Sequence, residues 1–240
     1  MRSSQIYLRN QQRAAERVGI EFEHRTLPRD ITEAALLEQL EGFNADQSVT
    51  GVLIQRPLPV GIDPRHVQGT VGRRKDVEGM NPANMGAILY REPRLAPCTA
   101  QAAVALIEST GVPLRGAEVV VVGHSEIVGK PVAILLLHHL ATVTVCHVGT
   151  KNLVDHTRRA EILIVAVGRA GLVHGDMIRE GAIVIDIGIN SVDGKLCGDV
   201  DFPSAKAVAG HITPVPGGVG PVTVAMLMRN ALRAAGIDEA

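Results

Sequence analysis

Four valines, Val119 to Val122, run straight into Gly123-His-Ser-Glu-Ile-Val-Gly129-Lys-Pro131, and no other stretch restricts the fold as tightly. A β-branched run of this kind favours a buried parallel strand, Gly123 permits a sharp bend, and Pro131 is tolerated in the first turn of a helix expected over 131–140. The helix N-terminus would offer amide donors and the positive end of its dipole to a pyrophosphate. The spacing G-x-S-x-x-x-G is one residue longer than the common dinucleotide fingerprint, so taken alone it also fits an ordinary strand-to-helix turn.

The surrounding pattern favours the nucleotide. Strands are expected at 119–122, 142–146, 162–167, 182–187 and 211–213, with helical pieces at 131–140, 152–159 and 176–179, which is a doubly wound α/β unit. An acidic residue ending the second strand would pair with a ribose 2'-hydroxyl, but the sequence there is Cys146-His147-Val148-Gly149-Thr150-Lys151. With His124 in the first turn, His147 and Lys151 lean toward a 2'-phosphate. NADP is therefore expected, NAD stays open, and plain solvent exposure is the other reading of these basic residues.

The N-terminal half reads differently. A helix is expected over 3–18, with Tyr7, Gln11 and Ala14 or Ala15 sharing a face, and another over 32–44 with Leu36, Leu37 and Leu40 as its apolar stripe. An extended piece at 21–27 and a buried strand at 49–55 would complete βα repeats with a parallel sheet. Residues 63–97 hold too many turn formers for long regular elements, and loops of that length are usually functional. Thr99 is expected to cap a helix over 100–109, and a last helix over 222–235 is long enough to return to the first lobe. Two lobes with a cleft between them are expected, 1–98 with 222–240 and 99–221.

Composition narrows the ligand. A hydrophobic fraction of 46% with only 2% aromatic residues describes a globular core of Val, Ile, Leu and Ala. A net charge of -1 without a basic run gives no footprint for nucleic acid. No apolar stretch is long enough for a bilayer and no signal-peptide pattern follows Met1, so a cytoplasmic protein without a membrane partner is expected. Cys98, Cys146 and Cys197 are far apart and read as buried thiols, and the scattered histidines, His138 and His139 included, suggest no metal. Asp76, Asp186 and Asp199 suggest no acid–base pair; Asp186, at a strand end, reads as an anchor.

The segment Ile212-Thr-Pro-Val-Pro-Gly-Gly-Val-Gly-Pro221 resembles a signature of the bifunctional methylenetetrahydrofolate dehydrogenase/methenyltetrahydrofolate cyclohydrolase family. Gln55-Arg-Pro-Leu-Pro59, Lys75-Asp-Val-Glu-Gly79, Pro97-Cys-Thr99, the glycine turn and Ala182-Ile-Val-Ile-Asp-Ile-Gly-Ile-Asn190 are similar to further family segments in family order. The resemblance covers essentially the whole chain. It implies a two-lobed enzyme with tetrahydrofolate in the cleft and the dinucleotide on the second lobe, joined through that lobe into a homodimer. It also implies oxidation of methylene-tetrahydrofolate by hydride transfer to NADP, followed by hydrolysis of the methenyl product to formyl-tetrahydrofolate.

By the same resemblance Tyr7 stacks on the folate and Gln55 sits beside the one-carbon unit, with Pro57, Glu78, Pro216, Gly217 and Gly218 as further substrate contacts. Cofactor contacts fall on Gly123, His124, Ser125, Ile127, Val128, Gly129, His147, Thr150 and Ile189. Three departures stand out. The family's Y-x-x-x-K lysine is Gln11 here, and an amide cannot carry the proton transfers that a lysine of lowered pKa performs in the hydrolysis. Hydride transfer is mainly positional work, so the dehydrogenase is expected to survive better than the cyclohydrolase. The aspartate of the family's D-V-D-G is Glu78, which keeps the charge and adds a methylene. The family's helix and strand ahead of the tyrosine helix have no counterpart, which implies an upstream start or an impaired first lobe. The rival readings are a non-catalytic folate- or dinucleotide-binding paralogue and a different two-lobed dehydrogenase acting on an amino acid or shikimate-like substrate.

Overall fold

The computed structural model describes residues 2–91 and 93–237, with side chains from Tyr7 onward. The chain divides into two compact units, Met1–Cys98 with Val224–Ala240, and Thr99–Thr223. In the first lie helices α1 (Arg2–Arg17), α2 (Glu33–Ala45), α3 (Pro64–Thr70) and α4 (Pro82–Leu89). Helix α5 (Cys98–Glu108) opens the second, which continues through β1 (Glu118–Val122), α6 (Gly129–His138), β2 (Thr142–Cys146), α7 (Leu153–Thr157) and β3 (Ile162–Val165). It is completed by β4 (Ile183–Asp186), β5 (Asn190–Val192), β6 (Lys195–Cys197), α8 (Phe202–Lys206) and β7 (His211–Ile212), and α9 (Val219–Ala234) ends the described chain.

The second unit is the doubly wound sheet its valines require. Its strand order is β2-β1-β3-β4-β7, with every pairing parallel. Val119 to Val122 and Ile162 to Val165 are all buried, so β1 and β3 have no water-facing side and must be covered on both faces. Several elements differ from expectation at their ends. α5 begins at Cys98, which puts Thr99 inside the first turn instead of at the cap. α7 is only Leu153–Thr157, and the expected helix at 176–179 is a short 3-10 turn at Gly175–Met177. The hairpin β5–β6 was not expected, although Asp193-Gly194, both at positive φ, is the commonest signal for one. Cys197 on β6 is half-buried, unlike Cys98 and Cys146.

In the first unit the expected strand at 49–55 is corrected. The segment is extended, and its side chains alternate: Val52 and Ile54 pack with Leu36, Leu40, Ile62, Val67 and Val71, while Leu53 packs with Ala15, Val77, Leu227 and Met228. No ladder forms, however, because the neighbouring chain touches it at a single parallel bridge, Val52 to Asp76, where the Val52 amide donates to the Lys75 carbonyl at 2.7 Å. The neighbour then turns away, since the Asp76 carboxylate accepts from the Asn81 amide at 2.7 Å and from Asn84 Nδ2 at 2.8 Å. Residues 21–27 are likewise extended without a strand partner among the described residues.

The turn formers of 63–97 build two helices the sequence reading missed. Asp63-Pro64 and Asn81-Pro82 are each a capping side chain followed by proline in the first turn: Asp63 Oδ1 accepts from the Arg65 amide and Asn81 Oδ1 from the Ala83 amide, both at 2.8 Å. Asn230 on α9 is fully buried and ties these loops down, donating through Nδ2 to the carbonyls of Val77 (2.8 Å) and Ala96 (2.9 Å). Asn230→Ala removes both of these bonds and should lower the unfolding free energy by about 1 to 3 kcal/mol, read from urea unfolding.

Candidate functional site

The first unit holds a polar cluster of half-buried side chains around one that is fully buried. Tyr7 and Gln11 lie one turn apart on α1, and Gln11 is fully enclosed. Gln55, at the end of the extended segment, donates through Nε2 to Gln11 Oε1 at 2.7 Å. That bond fixes the Gln11 amide and leaves its Nε2 buried without an acceptor at hydrogen-bonding geometry among the described residues. A buried donor of this kind costs free energy unless a ligand atom meets it.

Charge and burial act on the neighbours. Glu78 Oε2 accepts a long 3.4 Å bond from the Ile54 amide. Burial raises its pKa from 4.5 to about 7, with the Ile54 amide opposing and the charge of Asp76 adding to the rise. The Tyr7 phenol is pushed up to about 12, first by burial and then by the charges of Glu78 and Cys98, against a smaller opposing effect of the Gln11 amide. Burial also drives the Cys98 thiol far above its ordinary value. Its Sγ donates to the Val77 carbonyl and receives Asn230 Nδ2, so Cys98 packs as an inert thiol. Pro57, joined to Arg56 by a cis peptide, is exposed two residues beyond Gln55. Gly79 at φ +72 has no room for a Cβ, which would stand 2.2 Å from the Ala96 carbonyl carbon.

The second unit carries the glycine turn. A Cβ on Gly123 would lie 2.2 Å from the Ala166 carbonyl oxygen, and one on Gly129 would lie 2.1 Å from the Gly123 oxygen, so strand, turn and helix close only on glycine at both places. Ser125 uses its hydroxyl to accept from the Val128 amide at 3.2 Å and the Gly129 amide at 3.4 Å, and its carbonyl to accept from Lys130 at 3.0 Å. Three amides expected to face a pyrophosphate are therefore already committed to the turn. His124, Ser125, Glu126 and Ile127 are exposed there, with Val128 half-buried.

At the end of β2 the loop closes on itself. The His147 amide donates to Thr150 Oγ1 at 2.8 Å, the Thr150 amide to the His147 carbonyl at 2.8 Å, and the Gly149 amide to His147 Nδ1 at 3.1 Å. The His124 and His147 rings stand 5.0 Å apart, Lys151 is exposed, and Val148 is fully exposed. Ile189 is exposed beyond β4. Pro216 and Gly217 are exposed beyond β7, and a Cβ on the half-buried Gly218 would stand 2.6 Å from the Pro214 oxygen. Asp199, given no part by the sequence reading, lies at the centre of a network along these strand ends; the flanking glycines Gly188 and Gly198 were the signal for it.

A parallel sheet whose first strand ends in this turn, in a chain whose other unit gathers a half-buried phenol, two amides and a raised carboxyl, is the frame of a dinucleotide-dependent enzyme. Family models match both parts: tetrahydrofolate dehydrogenase/cyclohydrolase, catalytic domain, over residues 1–78, and tetrahydrofolate dehydrogenase/cyclohydrolase, NAD(P)-binding domain, over residues 97–239. The chain belongs to this family of bifunctional enzymes. It is 54% identical over 235 residues to the bifunctional protein FolD of Rhodobacter capsulatus, a match covering 96% of this chain and 78% of that protein. The FolD methylenetetrahydrofolate dehydrogenase/cyclohydrolase of Campylobacter jejuni superposes with a TM-score of 0.92 at 40% identity, covering 98% of this chain and 84% of that one. The Trypanosoma brucei enzyme, solved with NADP cofactor and an inhibitor, gives 0.93 at 39% identity, covering 98% and 82%.

The raised pKa of Glu78 has a consequence for stability. Between pH 4.5 and about 7 the unfolded chain has lost this proton while the folded chain keeps it, so stability falls as pH rises through that window and levels off above it. Glu78→Gln has no proton to lose. Its unfolding free energy should gain on the native protein by roughly 2 to 3 kcal/mol between acid and neutral pH, and parallel pH profiles for the two proteins would contradict the assignment.

Proposed function

We propose that this chain oxidises methylene-tetrahydrofolate with NADP as hydride acceptor and retains a weakened methenyl-tetrahydrofolate cyclohydrolase. The observation that carries this is the Tyr7–Gln11–Gln55 cluster, a set of neutral groups with one buried donor unpaired. Such a set can orient a folate and donate a hydrogen bond. It cannot relay a proton through Gln11. Glu78 is the titrating group of the cluster, and its longer side chain keeps the carboxyl available to the pterin. When bound, the nicotinamide supplies the hydride acceptor; Gly123 and Gly129 give the close backbone turn, and His124, His147, Thr150 and Lys151 offer donors for a 2'-phosphate. Pro216, Gly217 and Gly218 provide an open glycine segment for substrate approach. The family resemblance also supports a homodimer and a cytoplasmic location.

Absorbance at the reduced-nicotinamide band with methylene-tetrahydrofolate should report dehydrogenase turnover, with NADP preferred over NAD. Decay of methenyl-tetrahydrofolate should be slow and should quicken by about 100-fold or more in Gln11→Lys, while the dehydrogenase changes much less. Reduction of neither NADP nor NAD by folded protein supports the non-catalytic paralogue instead, and a cyclohydrolase rate unaltered by Gln11→Lys removes the role given to that position.

A further inference from the structure

We propose that Asp199 is a positioning residue for the dinucleotide, holding the turn after β3 in the shape on which the glycine turn rests; this builds on the reading of the second unit as the cofactor-binding unit. Asp199 is fully buried, and a carboxylate taken out of water must be well hydrogen-bonded. Three successive amides converge on it: Val167 on Oδ2 at 2.6 Å, Gly168 on Oδ2 at 2.9 Å and Arg169 on Oδ1 at 2.8 Å. Asn190 Nδ2 adds a fourth donor on Oδ1 at 2.8 Å. Three consecutive N–H groups turned inward form an anion nest, and here the protein fills it with its own charge.

What this turn supports is the cofactor end of the sheet. It follows the buried strand β3 through Ala166, whose carbonyl oxygen occupies the space a Cβ on Gly123 would need. The turn itself is exposed at Val167, Gly168 and Arg169, so its shape is set by the carboxylate beneath it more than by packing above. Asp199 is in turn held by Asp186 at the end of β4. Asp186 Oδ1 accepts from the amides of Asp199 and Gly188, both at 3.0 Å, its Oδ2 accepts from Val200 at 2.9 Å, and its own amide donates to Thr213 Oγ1 at 2.8 Å. Asp199 and Asp186 thereby link the exits of β3, β4 and β7, the last through the Asp186 backbone amide. The space is sized for them: a Cβ on Gly188 would stand 2.1 Å from Asp199 Cγ, and one on Gly198 would stand 1.8 Å from Asp186 Oδ2.

Asp199→Asn tests this, because an amide in either orientation sets a donor against the inward-turned N–H groups. The expected result is a loss of NADP affinity of about 10- to 100-fold by calorimetry, matched in KM for NADP. KM for methylene-tetrahydrofolate and kcat at saturating NADP should stay within about twofold. Gly188→Ala, which crowds the carboxylate without changing its chemistry, should raise KM for NADP in the same direction. A lowered melting temperature with NADP affinity unchanged in folded Asp199→Asn would show a purely structural role and overturn the proposal. Should Asp199→Asn not fold, Gly188→Ala and Asn190→Ala decide: a raised KM for NADP in either supports the proposal, and an unchanged one in both overturns it. If the native chain binds neither NADP nor NAD, the cofactor reading itself fails, and the missing baseline distinguishes that outcome.

Discussion

The contact between the glycine turn and the carbonyl oxygen of Ala166 is the constraint on which the cofactor half of this protein depends. β1 can lie beside β3 in parallel register, with its valines buried on both faces, only if the chain leaving it bends past that carbonyl without a side chain. Gly129 repeats the demand at the start of α6, this time against Gly123 itself. The entry to α6 takes its position from these two close approaches. Ser125 accepts from the first amides of the helix, so the backbone of the turn is settled internally.

The second unit was legible because its signals are local and repeated. β-branched runs, glycine at strand ends and short helices state a parallel doubly wound sheet before any long-range contact is known, and the strand at 119–122 needed no revision beyond one residue. The first unit was harder to read. Its extended segment at 49–55 shows the period-two burial of a strand, yet a strand is a property of two chains, and whether a neighbour runs alongside depends on Asp76 reaching forward to Asn81 and Asn84. Likewise the prolines at 64 and 82 look like breakers until Asp63 and Asn81 are seen to cap the helices that follow. Of the site, Tyr7, Gln11 and Gln55 could be named from a shared face and a matched motif. The hydrogen-bond network around Asp199 could not, since its donors come from amides some thirty positions earlier in the chain.

Gln11 and Glu78 together set the character of the polar cluster in the first unit. An amide replaces the ammonium that a lysine would bring, and the carboxyl sits where burial makes its neutral form accessible near pH 7. The cluster thus loses a positive charge while its negative charge becomes easier to extinguish. A neutral, hydrogen-bonding cluster of this kind is better suited to fixing the orientation of a bound group than to shuttling protons to water.

The three cysteines have very unequal environments, and this sorts them as chemical handles. Burial pushes the thiols of Cys98 and Cys146 upward, and Cys98 is further engaged with Val77 and Asn230. Cys197 is half-buried on the short hairpin, two positions before Asp199. A mild alkylating fluorophore applied to the native protein would accordingly mark the second unit at one place and leave the first unlabelled, giving a reporter beside the strand exits without any engineered residue.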